Sequence, residues 1–423
     1  MTRHPWLRHR TRRLAPLALA LATTLPAQAG VLAITNAKLH TVGGGTLDKA
    51  TLLIRNDLIE AVGVGIAPPE GAKIVDVGGA AVTPGLFDAY THLGLEEISG
   101  VDETRDDRGS NPRYSAALDV VDGLNPRSVL IPVQRIEGIT QAMSAPSTGE
   151  GGPLLAGRGA VINLGQLSPE FFVARARAAQ FLPLGEAAMG TVQGGRPTLL
   201  LALREAFEEA RNGAPASVQR PALLGALDAA ALRPVLNGEQ PLVVDVHRAA
   251  DIRALLKLAE DYGIKLVIHG GAEAHLLARE LAERQVPVIL DPTYNLPAHF
   301  EALAARSDSA SLLYRAGVTL AFSAAGDQGG HNSRNIRQLA GNAVAHGLPW
   351  DAALAAITLN PAKIYGLDST LGTLEAGKQA SFVIWDGDDP LELGSYPRQV
   401  YAAGVAVPMT SRQTLLRDRY IKR

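Results

Sequence analysis

Between residues 241 and 290, apolar runs of strand length alternate with segments of helical period. That alternation constrains the fold more than any other feature of this 423-residue chain. Residues 241–246, 265–268 and 286–290 are short, almost continuously apolar runs, separated by 250–262 and 273–284. In the first separator Ile252, Leu255, Leu256 and Ala259 fall at i, i+3, i+4 and i+7, one face of a helix. A strand apolar on both faces belongs to a parallel sheet covered on both sides, because a sheet open to water alternates instead. Repeated over roughly 280 residues, the β–α alternation predicts a TIM barrel, with a doubly wound sheet as the alternative.

The ends of the chain follow another pattern. From Val31 short alternating strands are expected at 31–39, 51–55, 58–64 and 74–77, punctuated by Gly43-Gly44-Gly45 and Pro68-Pro69. Strands of the same kind are expected at 381–385 and 399–405. Residues 1–29 read as an address. Arg8 to Arg13 form a basic stretch, residues 14–25 an apolar run too short to span a bilayer, and Ala27-Gln28-Ala29 a cleavage site. The expectation is a secretory signal peptide removed before Gly30. Arg12-Arg13 leaves the export route open between general and twin-arginine secretion.

Without the five arginines of that segment, 35 cations face 42 acids, a formal −7 in place of −2. Such a chain does not bind nucleic acid or an anionic membrane through net charge. Cysteine is absent, which excludes disulfides, thiolate nucleophiles and Cys-ligated zinc, and suits an oxidising compartment. With an Arg- and Ala-rich composition the expected location is the bacterial periplasm. Residues 149–159 are Gly-rich but lack the Lys-Ser/Thr that would complete a phosphate loop.

Five stretches carry a family resemblance. Residues 82–92, Val-Thr-Pro-Gly-Leu-Phe-Asp-Ala-Tyr-Thr-His, resemble the first barrel strand of the amidohydrolase superfamily. Residues 357–363 resemble its late helix, residues 371–385 its return into a small β domain, and residues 36–39 and 54–59 its N-terminal strands. The likeness is to the imidazolonepropionase-like branch of exported bacterial members. It implies a (β/α)8 barrel with a small β-sandwich built from both chain ends. The expected organisation is a signal at 1–29, sandwich parts at 30–80 and 366–423, and the barrel at 81–365. It also implies hydrolysis of a C–N bond in a small, non-peptide or dipeptide-like amide by metal-activated water.

The resemblance sets a ligand pattern: His-x-His on strand 1, His after strands 5 and 6, and Asp after strand 8. His92, His247 and His269 match three of these positions. Tyr90 stands for the first histidine and Ala324 for the aspartate, so the set is degenerate. Tyr90 reads as a pocket-wall aromatic, or as a group orienting substrate or oxyanion. A bridging carbamylated lysine is excluded, since none of the eight lysines lies between Lys73 and Lys257; a bridge from Glu170 or Glu186 stays open. The expectation is one Zn2+ or Fe2+ at most, on His92, His247 and His269. Asp327 or His331 on a Gly-rich loop would act as base, and Arg248 or Arg334 would receive a substrate carboxylate. Glu273 is either a helix cap or a pocket residue, and His275 a helix-surface residue. The competing reading is an inactive binding protein, or a partner subunit of an active paralogue. Assembly with copies of itself would follow the habit of such barrels.

Overall fold

The computed structural model describes residues 30–421 apart from 110, 112–114, 150, 166, 193, 214–221 and 325–328. The expected signal peptide and Asp327 lie outside the described residues. The chain begins as a meander, β1 (Val31–His40), β2 (Thr46–Arg55) and β3 (Leu58–Val64). Between β2 and β3 the chain turns on Asn56-Asp57. Asn56 takes the left-handed conformation (φ 60°) that its short amide tolerates. β4 (Lys73–Asp76) pairs with the first half of β1 and β5 (Ala81–Pro84) with the second, so the sheet divides along that edge.

β6 (Leu86–Thr91) then starts the barrel. β7 (Arg108–Gly109) and β9 (Ser147–Thr148) form a two-residue ladder beside it. The remaining staves are β8 (Ile139–Ser144), β10 (Gly157–Asn163), β11 (Val173–Pro183), β12 (Leu242–Val246), β13 (Leu266–Gly270), β14 (Val288–Leu290) and β15 (Leu320–Phe322). They pair in chain order from β6 to β15, and β15 returns beside β6, so the eight-stranded sheet nearly closes. The expected barrel is present with one departure. β10 runs antiparallel to both neighbours, while the other adjacent pairs are parallel. Parallel strands need a crossover of a dozen or more residues, usually a helix. Here the links are 145–156, with no helix, and 164–172, with one short helix (Pro169–Phe172).

From β11 onward helices cover the sheet as the alternation predicts. Ala249–Tyr262 buries Ile252, Leu255 and Leu256 and ends at Gly263, a left-handed C-cap (φ 70°). The 273–284 segment is shorter than expected, a 3-10 turn (Ala274–Leu277) followed by a helix (Ala278–Glu283). Alternate strand residues fill the barrel interior: Phe181, Val243, Val267, Ile289 and Ala321. Their neighbours Leu242, Val244, Leu266, Ile268, Val288 and Leu320 pack beneath the helices. The C-terminal strands β16 (Phe382–Trp385), β17 (Pro397–Ala402) and β18 (Val405–Ala406) return to the start of the chain, β16 pairing antiparallel with β5. Both ends thus build one divided eight-stranded sheet around Ile34, Leu52, Ile54, Phe382 and Ile384. No described helix is long and apolar enough to cross a membrane.

Candidate active site

The C-terminal rim of β12 and β13 gathers the titratable groups. β12 reads Leu-Val-Val-Asp-Val, and strand alternation turns Asp245 to the same side as the interior Val243. His247 follows at the rim and His269 stands at the matching height of β13, where Asp245 and His269 are register partners. His269 Nδ1–H donates to Asp245 Oδ1 at 3.0 Å, and His247 Nε2 lies 4.0 Å from the same oxygen. The Asp245 side chain is 44% open to the mouth although protein surrounds it. Burial pushes its pKa up, but the hydrogen bond from His269 and the charges of His269, His247 and His299 outweigh that and hold it low. Burial depresses the pKa of His247, which favours its neutral form. Gly270 (φ 83°) makes room for the His247 ring, which a Cβ there would meet at 2.7 Å.

Tyr90 closes the floor. Its ring stacks on His269 (centroids 3.9 Å, 15°) and meets His92 edge-on (5.7 Å, 75°) and Phe181 (5.6 Å). Burial, with the charges of Asp245 and Asp107, raises the phenol pKa and keeps the proton on oxygen. His92 Nδ1 bonds Ala145 O at 2.8 Å and lies 3.9 Å from Asp107 Oδ2. Asp107 is clamped by Arg105 (3.0 Å twice) and Ser147 Oγ (2.6 Å). Burial works against the Asp107 charge, yet the Arg105 hydrogen bonds and the nearby His92 hold its pKa low.

The loop after β14 adds a second cluster. The His247 ring lies 5.5 Å from Tyr294 and 5.1 Å from His299. Glu186, His299 and Glu301 bring ligand atoms within 4.8 Å of one another. The Glu301 carboxylate is already taken by the Arg196 guanidinium and by Glu186 N–H. Arg196 also bonds Asp251, whose other oxygen accepts from Arg248 at 2.6 Å.

Several candidates from the sequence take structural places. Glu273 is buried and accepts Ala249 N–H (2.9 Å) and Ala304 N–H (3.3 Å), so it ties a helix start to a loop and is no substrate ligand. Arg248 is spent on Asp251. Arg334 is anchored through its backbone N–H to Gln134 Oε1 (2.7 Å). His331 Nε2 lies 3.9 Å from the buried carboxylate of Glu96. Ala324 is buried at the end of β15. Asp245 was missed, although its position two residues before His247 put both on one strand face. His299 and Glu301 carried no local signal, because a long loop delivers them.

Comparison with known proteins agrees with this architecture. Residues 273–412 match the model of the Amidohydrolase family. An imidazolonepropionase of Sphingopyxis alaskensis is 26% identical over 385 residues, covering 85% of this chain and 92% of the relative. The structure of an amidohydrolase from Thermotoga maritima MSB8 superposes with a TM-score of 0.79 at 26% identity, covering 89% of this chain and 99% of that one. The chain belongs to the amidohydrolase superfamily. It falls with the imidazolonepropionase-like members of this superfamily of hydrolases acting on C–N bonds. The amidohydrolase tasK of Hapsidospora irregularis is also 26% identical, over 370 residues that make 80% of this chain but 37% of tasK.

Members of the superfamily typically bind metal, and the residues here can be tested for that role. Ligand atoms about 2 Å from a tetrahedral zinc lie roughly 3.5 Å from each other. Among the described residues, His92, His247 and His269 do not bring three ligand atoms within even 4.8 Å of one another. Tyr90 holds its proton where the first histidine would stand, and Ala324 offers no ligand. The superfamily's cage therefore does not fit this chain. The staves β8, β10 and β11 hold no lysine, in keeping with the excluded carbamate bridge. The Glu186–His299–Glu301 group fits poorly, because Arg196 already neutralises Glu301 and His299 Nδ1 accepts Glu301 N–H.

Proposed function

We propose that this amidohydrolase cleaves a C–N bond of a small amide or cyclic amide with His269 and Asp245 as its proton-transfer pair. The observation that carries the reading is the 3.0 Å hydrogen bond between them at the open mouth. Asp245, held ionised, fixes His269 with its proton on Nδ1, leaving Nε2 without a hydrogen bond among the described residues and available as a base. Water attacks the substrate carbonyl while Nε2 takes its proton. Tyr90, which keeps its own proton, and neutral His247 are the donors beside the developing oxyanion. The C–N bond breaks as the imidazolium returns the proton to the leaving nitrogen. Substrate enters from the rim lined by Tyr294 and His299. The signal-like residues 1–29 support action in the periplasm.

The test is hydrolysis of N-acyl amino acids, dipeptides and cyclic ureides by purified protein after exhaustive chelation. Turnover that survives chelation and is lost in His269→Ala supports the proposal. Turnover that returns only with zinc or iron overturns it in favour of a metal centre. Tyr90 and Ala324 at the superfamily's ligand positions favour a second reading, a binding protein or partner of an active paralogue. Saturable binding of such amides without turnover would establish that reading.

A further inference from the structure

We propose that the opposite, N-terminal end of the barrel holds a second binding site, for a small multivalent oxyanion carrying phosphate or carboxylate groups. A cavity of about 540 Å³ opens there, within the size range of small-molecule sites. Arg175, Lys265, Arg284 and Lys363 line it, against the single acid Glu239. The elements that carry them place the cavity beneath the barrel. Arg175 is near the start of β11, Lys265 directly precedes β13, Arg284 precedes β14, and Lys363 is on the helix Leu359–Ile364 that packs on β15. His269 lies at the other end of the strand that Lys265 precedes, so the cavity and the mouth are separate.

The charges around the cavity are largely uncompensated. Lys265 and Lys363 have no ion pair or side-chain hydrogen bond among the described residues, while Arg284 is shared between Glu260 at 3.8 Å and the charge of Glu280. Glu239 is held by Asn237 and pairs with none of the four cations among the described residues. In a chain whose acids outnumber its Lys and Arg, 42 to 40, four cations around one cavity repel each other unless an anion joins them.

One of the four is already positioned. Arg175 Nη1 donates to Tyr365 O (2.8 Å) and Gly366 O (2.9 Å), the carbonyls just past the helix that carries Lys363. Gly366 (φ 66°) permits this approach, since a Cβ there would meet Arg175 Nη1 at 2.5 Å. Gln285, also on the lining, holds a left-handed backbone (φ 53°) where glycine is usual. Arg175 is thus ordered before any ligand arrives, and Lys265 and Lys363 remain free to close on it.

The experiment is titration calorimetry of the whole protein with inorganic pyrophosphate and, separately, citrate, at constant ionic strength. Saturable 1:1 binding of either is expected; tighter pyrophosphate points to phosphate chemistry and tighter citrate to carboxylate chemistry. Lys265→Gln with Lys363→Gln should weaken it at least tenfold, and Arg284→Gln alone several-fold. His269→Ala should bind as wild type does, which separates this site from the mouth. No saturable binding below about 1 mM, or equal affinity in the lysine and arginine variants, would overturn the proposal.

Discussion

The two sides of the barrel mouth have diverged. On the β12–β13 side one oxygen of Asp245 has a nitrogen of each of two histidines within 4.0 Å, open to the mouth and held in register by a parallel ladder. On the β6–β15 side the corresponding positions hold a protonated tyrosine and an alanine, and His92 is tied to a backbone carbonyl. The first side keeps groups that can exchange protons with a substrate. The second has become wall and support. A mouth can therefore lose half of a ligand cage while the barrel beneath keeps its packing, because interior and rim are built from different residues of the same strands.

The sharpest way to break the comparison is to disable the β12–β13 side. His269→Ala and Asp245→Asn should each lower kcat by about 10²–10⁴. The double variant should be little worse than the worse single, because the pair acts as a unit. Steady-state kinetics on a chelated sample would show additive losses if the two act independently.

A second test concerns the β6 side, through Asp88. Burial raises its pKa to about 7 from 3.8, against the hydrogen bonds from Ser333 and Tyr90 N–H. The protonated form is therefore favoured by folding. This contribution is fully present below pH 3.8 and fades as pH rises through about 7. Asp88→Asn should remove that slope and raise stability at pH 8 relative to wild type, by at most about 4 kcal/mol. Urea denaturation at pH 4 and pH 8 measures it; parallel pH dependence in both proteins would refute the assignment.

Rebuilding the missing half should reverse the comparison. Tyr90→His with Ala324→Asp is expected to retain about one zinc per chain after dialysis, measured by elemental analysis, where wild type retains far less. Equal metal content in the two would show that the cage was never the difference. The smallest effect is expected at His92, whose Nδ1 serves Ala145 O. His92→Ala should change kcat less than about tenfold and cost about 1 kcal/mol of stability, the worth of one hydrogen bond. A loss as large as that of His269→Ala would place His92 in the chemistry.

Much of this frame was legible without coordinates. The i, i+3, i+4 pattern at 252–259 and the apolar runs on either side announced covered parallel strands, and His247 and His269 were placed at strand ends by their flanking sequence. Tyr90 and Ala324 could be named as departures because the motifs around them are local. The reversed β10 was not announced, since an apolar strand reads alike in either direction and only the short link 164–172 betrays it. Arg248 was misread because a guanidinium bonded to Asp251 looks in sequence like a free one, and for Glu273 only its N–H partners Ala249 and Ala304 decided between cap and pocket.

By itself the sequence determined the class of fold, the family and the residues missing from its ligand pattern, because periodicity and motifs are properties of neighbouring residues. Only the tertiary structure decided which polar groups meet. Asp245 with His269, His247 with His299, and Arg175 with the carbonyls past Lys363 are pairs drawn from different strands, loops and helices. Their chemistry depends on distances that strand pairing and helix packing set, and the chain between them does not encode those distances locally.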